Sequence, residues 1–165
     1  MHIVIDGREV TAEQGQTVLE AARAAGVYIP SLCYHPRTGR AGRCRACVVE
    51  IEGLRGLQPA CTTPAKDGMV VQTETPTVLE ARRMIVELLL ANGSHDCLSC
   101  EANGACELQD MAYRLGIERP AFLIPAEPLP LDDSSEGIIR DLNKCIQCGR
   151  CVAACNNTVM HEVLD

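Results

Sequence analysis

The sequence has very few aromatic residues and no long apolar run. Among 165 residues there are no Trp, one Phe and three Tyr, so bulky rings contribute little to any core. The longest apolar stretch, residues 84–91, is interrupted by Glu87. It is far shorter than the roughly 20 residues that span a bilayer. We therefore expect no transmembrane segment, and something other than aromatic packing must stabilise the chain.

Positive charge is also scarce. The chain has 15 Lys and Arg against 22 Asp and Glu, which gives a formal net charge of -7. Because phosphate contacts require a basic face, this balance argues against nucleic-acid binding. The first residues show no basic stretch followed by an apolar core and a cleavage site, so no secretory signal is visible. We expect a reducing, cytoplasmic location.

Cysteine, in contrast, is abundant. There are 11 cysteines, an odd number, and they fall into short-spaced groups. Disulfides cross-link distant segments in oxidising compartments, whereas thiolates that converge on one metal centre are close in sequence. Metal binding is therefore the leading interpretation of these residues.

Local patterns in the first 76 residues predict a small α+β domain. An Asp-Gly dipeptide between two short apolar stretches is typical of a tight β-hairpin. A capping box followed by an Ala-rich stretch and a glycine predicts one helix. Two further strands complete the set, which suggests a β-grasp domain over residues 1–76. The elements are strands His2–Ile5 and Glu9–Thr11, a helix from Thr17 to Gly26, and strands Cys47–Ile51 and Met69–Thr73.

Residues 77–118 are predicted to form a small helical module. A second capping box, from Thr77 to Glu80, starts a helix that ends at Asn92-Gly93. A second helix, Cys106 to Leu115, is closed by Gly116. The apolar residues of the first helix are expected near one face: Leu79, Ile85, Leu88 and Leu89.

The remainder is predicted to contain a linker and a ferredoxin-type segment. Prolines stiffen residues 119–137 into an extended connector, and residues 138–165 form the start of a bacterial-type ferredoxin domain. The prolines are Pro120, Pro125, Pro128 and Pro130.

The first cysteine group has the spacing C-x10-C-x2-C-x13-C and consists of Cys33, Cys44, Cys47 and Cys61. The small residues Gly39, Gly42 and Ala46 allow a loop to wrap closely around a cluster and direct backbone amides at its sulfurs. We predict that this group binds a [2Fe-2S] cluster. Tetrahedral zinc is the alternative, because four thiolates with one Cys-x2-Cys also suit that ion.

The second group has the spacing H-x-C-x2-C-x5-C and consists of His95, Cys97, Cys100 and Cys106. An imidazole can replace one thiolate at iron, which makes the cluster less negative and raises its potential. Without His95, these three cysteines would need water or an outside ligand as the fourth partner. We predict a [4Fe-4S] cluster with one His ligand here, and we interpret His2, His35 and His161 as surface residues.

The third group has the spacing C-x2-C-x2-C-x3-C, which is typical of [4Fe-4S] binding, and consists of Cys145, Cys148, Cys151 and Cys155. In two-cluster ferredoxins the fourth cysteine of such a run serves the other cluster. Cys155 therefore either completes this cluster or serves a further [4Fe-4S] cluster in a longer chain. The residue after it is Asn156 instead of the usual proline.

Two of these groups resemble a known superfamily. Residues 29–33 and 42–47 resemble the [2Fe-2S] domain at the head of the iron-sulfur subunit of complex I, of iron-only hydrogenases and of NAD-dependent formate dehydrogenases. Residues 95–109 resemble the [4Fe-4S] module with one His and three Cys ligands in the same proteins. Complex I and many iron-only hydrogenases have that His where this chain has Gly93. The position of His95 resembles a variant found in formate dehydrogenases and in the diaphorase parts of NAD-linked hydrogenases.

The resemblance implies an electron relay between a flavin and NAD(H)-binding iron-sulfur subunit and a catalytic domain or subunit. Residues 110–118 and 157–165 resemble formate dehydrogenase catalytic subunits most, then iron-only hydrogenases, then complex I. No catalytic residue is predicted within these 165 residues, because no molybdopterin, hydrogenase-cluster or nucleotide site is visible. A zinc-stabilised interaction module is the alternative from another functional class.

Overall fold

The structure is a computed structural model that describes residues 1–39, 42–93, 95–122 and 127–162. Pro125 of the predicted linker and residues 163–165 of the last predicted segment lie outside the described residues. The chain divides into two compact units. The first unit contains Met1–Arg82 and Cys148–Asp165, and the second unit contains Arg83–Gln147.

A mixed five-stranded sheet forms the base of the first unit. The strand order is β2-β1-β5-β3-β4, with β1 parallel to β5 and all other neighbours antiparallel. This is the arrangement expected for a β-grasp domain, and it agrees with the predicted α+β class. The strands are β1 (His2–Ile5), β2 (Arg8–Thr11), β3 (Val48–Ile51), β4 (Gln58–Pro59) and β5 (Val70–Gln72).

Helix α1 (Val18–Ala24) covers this sheet, and the predicted capping box starts it. The backbone N–H of Glu20 donates to Thr17 Oγ1 at 3.3 Å, and the carboxylate of Glu20 accepts from the Thr17 N–H at 2.8 Å. Two orphan N–H groups of the first turn are thereby satisfied. The buried side chains of the helix and the sheet form one core, which includes Ile3, Ile5, Val18, Leu19, Val49 and Val71.

Helix α2 (Pro76–Ala91) begins earlier than predicted. Thr75 Oγ1 accepts a hydrogen bond from the Val78 N–H at 3.2 Å, so Thr75 caps the helix. Pro76 is the first helical residue, where its missing N–H costs nothing and its fixed φ favours the helix. The predicted capping box starting at Thr77 is therefore wrong by two residues, because Thr75-Pro76 supplies the stronger start signal.

The predicted apolar face of α2 is also wrong. Leu79 and Leu88 are 41% and 44% exposed. The buried residues are instead Val78, Arg82, Val86, Glu87 and Ala91, the first three of which follow an i, i+4, i+8 row. Apolar periodicity indicates the leucines, because an arginine is normally expected on the solvent side of a helix.

The second unit contains a further helix, a hairpin and a short 3-10 turn at Leu142–Lys144. Helix α3 (Glu107–Arg114) ends before Gly116, which has φ +63°, close to the predicted bounds. Strands β6 (Asp132–Ser135) and β7 (Ile138–Arg140) form an antiparallel hairpin where the sequence patterns predict no strand. None of the helices in the described ranges has the length and apolarity needed to cross a bilayer.

The last segment of the first unit contains α4 (Arg150–Ala153) and a π-helical turn, Ala154–Thr158. Arg150 donates hydrogen bonds to the carbonyls of Ser31 at 3.4 Å and Tyr34 at 2.9 Å. Asn157 donates to the Thr38 carbonyl at 3.1 Å. The segment with three cysteines of the third group is thus fixed to the loop that contains Cys33.

Candidate metal centres

The structure brings together all four thiols of the first cysteine group in the interior of the first unit. All four are buried. Cys33 contacts both Cys44 and Cys61, and Cys47 contacts Cys61. The group therefore consists of two pairs, Cys33 with Cys44 and Cys47 with Cys61. The contact of Cys33 with Cys61 joins these pairs. In the described ranges no three His, Cys, Asp or Glu side chains are arranged around the position of a single metal ion. The thiols of this group contact one another in pairs.

These contacts distribute the protons unequally. Hydrogen bonds from Cys44 and Cys61 lower the pKa of the Cys33 thiol, and a hydrogen bond from Cys61 lowers the pKa of Cys47 to about 7. For both Cys44 and Cys61, the contact with Cys33 is the largest cause of a raised pKa. Metal binding releases protons from such thiols, because only thiolates are ligands.

Backbone amides are directed at the sulfurs of this group. The N–H groups of Arg43 and Cys44 stabilise the Cys33 thiolate, and the N–H of Ala46 stabilises Cys44. Gly42 has φ +64°, and a Cβ built there would lie 3.1 Å from Thr62 Cγ2, so a glycine suits this close approach. Four buried thiols with amide hydrogen bonds form a donor set that fits a [2Fe-2S] cluster.

Two arginines that no sequence motif indicates lie beside this group. Arg23 on α1 donates to Ser31 Oγ at 2.8 Å, and its guanidinium lies 4.7 Å from the ring centroid of Tyr34. It therefore holds the loop on both sides of Cys33. Arg82 on α2 is buried and donates to the Val48 carbonyl at 2.8 Å. The only sequence signal for Arg82 is its spacing of four residues from both Val78 and Val86.

The four residues of the second group lie in the second unit and are partly exposed. His95 Nε2 is 3.0 Å from the Leu89 carbonyl oxygen. A carbonyl only accepts, so this ring nitrogen donates its proton, and Nδ1 of a neutral imidazole keeps a free lone pair. Within residues 95–122 no hydrogen bond joins these thiols to one another or to the imidazole. Their common ligand role remains a prediction.

Gln109 orders the loop between Cys100 and Cys106. Its side chain is buried in α3, accepts from the Gly104 N–H at 2.8 Å and donates to Asn103 Oδ1 at 2.8 Å. No motif in the sequence indicates this role of Gln109. A polar residue among the buried positions of an amphipathic helix is the signal that could have identified it.

The geometry at Gly93 gives a physical reason for the position of the histidine in this chain. Gly93 has φ +147°, and a Cβ there would lie 2.4 Å from the Asn143 carbonyl oxygen. The same Cβ would lie 3.3 Å from His95 Nε2. No side chain fits at position 93, and the imidazole of His95 occupies the adjacent space.

Replacing Gly93 should therefore destabilise the protein through a steric clash. We expect Gly93→Ala to lower the free energy of unfolding by about 2 kcal/mol more than Gly104→Ala, which is in the range for overpacking. Gly104 is a matched control, because it has φ +79° but no heavy atom within 4 Å of its built Cβ. Urea denaturation followed by circular dichroism measures the difference, and equal losses in the two variants would contradict the clash.

The four cysteines of the third group belong to different units. Cys145 belongs to the second unit, and Cys148, Cys151 and Cys155 belong to the first. The Gln147 N–H donates to Cys145 Sγ at 3.4 Å, and Cys145 lines a cavity of about 660 Å³. Cys155 is buried in the π-helical turn. Ligation by this group remains a prediction.

Comparison with known families defines the class of protein. Residues 1–76 match the 2Fe-2S iron-sulfur cluster binding domain, and residues 82–121 match the NADH-ubiquinone oxidoreductase-G iron-sulfur binding region. The chain is thus an iron-sulfur protein that contains a [2Fe-2S] domain and a [4Fe-4S] binding region.

Comparisons that cover almost the whole of this chain identify the family. The chain is 46% identical over 159 residues to a G-type subunit of the NADH-quinone oxidoreductase of Rhizobium meliloti, covering 95% of this chain and 19% of that protein. It is 44% identical over 168 residues to an NADP-reducing hydrogenase subunit of Solidesulfovibrio fructosivorans, covering 99% of this chain and 29% of that protein. The crystal structure of an NAD+-reducing [NiFe]-hydrogenase in the H2-reduced state superposes with a TM-score of 0.93 at 40% identity, covering 99% of this chain and 69% of that chain.

The chain belongs to the family of iron-sulfur electron-transfer subunits shared by NADH-quinone oxidoreductases and NAD-reducing hydrogenases. It spans only 19% and 29% of the length of the two curated relatives. The comparisons support the hydrogenase and complex I-like expectation better than the expectation of a formate dehydrogenase.

Proposed function

We propose that this chain relays electrons between a flavin and NAD(H)-binding subunit and the catalytic centre of an NADH-quinone oxidoreductase or an NAD-linked hydrogenase. The observation that carries the proposal is the set of four buried thiols, joined by the contacts of Cys33 with Cys44, Cys33 with Cys61 and Cys47 with Cys61, in the domain matched to [2Fe-2S] binding. A bound iron-sulfur cluster supplies one-electron transfer at each site. No residue of the chain needs to act as a general acid or base for this function.

The proposed ligand sets follow the three sequence groups. The domains are residues 1–76 for [2Fe-2S] binding, 77–118 for the first [4Fe-4S] site, 119–137 as a linker and 138–165 for the ferredoxin-type segment. The ligands are Cys33, Cys44, Cys47 and Cys61 for [2Fe-2S]; His95, Cys97, Cys100 and Cys106 for the first [4Fe-4S]; and Cys145, Cys148, Cys151 and Cys155 for the second [4Fe-4S], unless Cys155 serves a further cluster.

His95 is proposed to bind iron through Nδ1. The opposite nitrogen, Nε2, donates to the Leu89 carbonyl at 3.0 Å, which fixes the ring orientation and the tautomer. A ligating histidine in proteins almost always donates its other N–H in this way. The packing at Gly93 supports the same assignment, because a side chain at position 93 would clash with the Asn143 carbonyl, while His95 lies in the adjacent space.

The surrounding residues hold each site and tune it. Burial keeps water away from the first group, and the amide of Ala46 stabilises negative charge on sulfur. Arg23 holds the Cys33 loop, and Gln109 orders the loop of the second group. All 11 cysteines are free, which is consistent with the proposed cytoplasmic location.

Reduction of the native complex by different donors tests the proposal. We expect NADH, supplied with the flavin-containing partner, to reduce the [2Fe-2S] cluster in electron paramagnetic resonance (EPR) spectra. Reduction by H2 as well would indicate a hydrogenase, and oxidation by a quinone would indicate the quinone-linked enzyme. Reduction by formate but not by H2 would restore the formate dehydrogenase assignment. Clusters that respond only to dithionite would contradict a relay linked to NAD(H).

A further inference from the structure

Arg82 is a buried cation in the first unit. It is only 4% exposed and shares a helical face with Val78. Burial lowers the pKa of its guanidinium, while the negative charges of Cys47 and Glu74 act in the opposite direction. Because an arginine stays protonated in proteins, the side chain keeps its positive charge inside the domain.

The polar partners of Arg82 do not neutralise this charge. Its terminal nitrogen donates to the neutral Val48 carbonyl at 2.8 Å, and within the described residues its Nε has no hydrogen-bond partner. No ion pair joins it to a carboxylate in that part of the chain either. An unpaired buried cation is unfavourable unless an anion is near. The carboxylates of Asp6 and Glu74 act on Arg82 only through space, so a further anion nearby would stabilise it.

The first cysteine group is the anion that the geometry offers. Val48 directly follows Cys47, so the guanidinium binds the carbonyl next to a proposed ligand. Four thiolates around two irons form an anionic centre, and one-electron reduction adds a further negative charge there.

We propose that Arg82 raises the reduction potential of the [2Fe-2S] cluster at the first cysteine group by holding a positive charge behind the Cys47–Val48 backbone. This inference rests on the proposed function and deepens it. In the low-dielectric interior a fixed positive charge stabilises the reduced state more than the oxidised state. Arg82 acts on the cluster electrostatically, through the backbone that lies between them, and does not ligate iron.

Substitutions that separate charge from packing test this role in the full-length, cluster-loaded protein. Arg82→Gln and Arg82→Met remove the charge, and Arg82→Lys keeps it. Arg55→Gln removes the same charge from an exposed position of the first unit and serves as the control. In potentiometric titrations followed by EPR, the equilibrium constant for one-electron reduction of the [2Fe-2S] cluster should be tenfold less favourable in both neutral variants than in the wild type. This corresponds to a midpoint about 59 mV more negative. Arg82→Lys and Arg55→Gln should keep the wild-type midpoint.

The outcomes separate this inference from the proposed function. A wild-type protein without a [2Fe-2S] signal would refute the proposed function itself. A normal wild-type signal with unchanged midpoints in the neutral variants would overturn the role of Arg82 alone. An equal shift of every cluster would overturn it too, because the effect would then be a general one of net charge. Loss of the cluster from both neutral variants would make Arg82 a packing residue and would also overturn the inference.

Discussion

Cys61→Ala should abolish the [2Fe-2S] EPR signal and remove about two irons per chain, the content of one such cluster. Cys61 contacts both Cys33 and Cys47, so its thiol joins the two pairs of the first group. The substitution leaves one iron with a single protein thiolate, and the remaining buried thiols cannot move far in a packed core. Iron analysis and EPR of the reduced protein measure the loss.

The neighbouring residue supplies the control for this experiment. Thr62 is exposed and follows Cys61 directly, so Thr62→Ala changes the same loop without removing a thiol. We expect Thr62→Ala to keep the full signal and both variants to keep the [4Fe-4S] signals. A Cys61→Ala protein with an unchanged [2Fe-2S] signal would show that another residue is the fourth ligand.

His95→Ala should destroy or deplete the first [4Fe-4S] cluster, while His95→Cys should preserve it at a more negative potential. A thiolate adds one negative charge where the neutral imidazole has none, and this disfavours the gain of an electron. We expect the midpoint of that cluster in His95→Cys to fall by more than about 59 mV, a tenfold change for a one-electron couple. Potentiometric EPR titration of the [4Fe-4S] signals measures the shift.

His2 offers the matched control, because it is an exposed histidine on β1 in the first unit. His2→Ala should leave the [4Fe-4S] signals and their midpoints unchanged. If His95→Ala also retained four irons at the wild-type potential, His95 would not be a ligand. Water or an outside group would then complete the three-cysteine site.

Local sequence signals predicted those elements that local interactions determine. The Asp6-Gly7 turn forms with positive φ at both residues, and the capping box at Thr17 starts α1 as expected. The glycine after α3 closes that helix with φ +63°. Each of these features depends on hydrogen bonds or backbone conformation within a few residues, so the sequence contains the necessary information.

Features that depend on tertiary packing could not be predicted. The buried face of α2 contains Arg82, whose burial depends on a carbonyl 34 residues earlier in the chain. Strand β6 is polar, and the two isoleucines of β7 are exposed and adjacent, so no apolar alternation indicates this hairpin. The clash that excludes a side chain at Gly93 comes from Asn143, 50 residues later in the sequence.

In the candidate sites, too, some features follow from local sequence and others depend on tertiary packing. Cysteine spacing indicated the members of each group, because ligands of one centre are often close in sequence. Spacing could not show that Cys33 contacts Cys61, which places the two pairs side by side. It also could not indicate which ring nitrogen of His95 is free, since this depends on the Leu89 carbonyl.

The most direct test of the relay is the content of iron, acid-labile sulfide and zinc per chain in anaerobically purified protein, measured beside low-temperature EPR during stepwise reduction. We predict about ten irons with matching sulfide, from one two-iron and two four-iron clusters. About six irons would leave the first two sites filled and the third site empty. Zinc without sulfide, in a colourless protein with no EPR signal on reduction, would contradict the electron-transfer function.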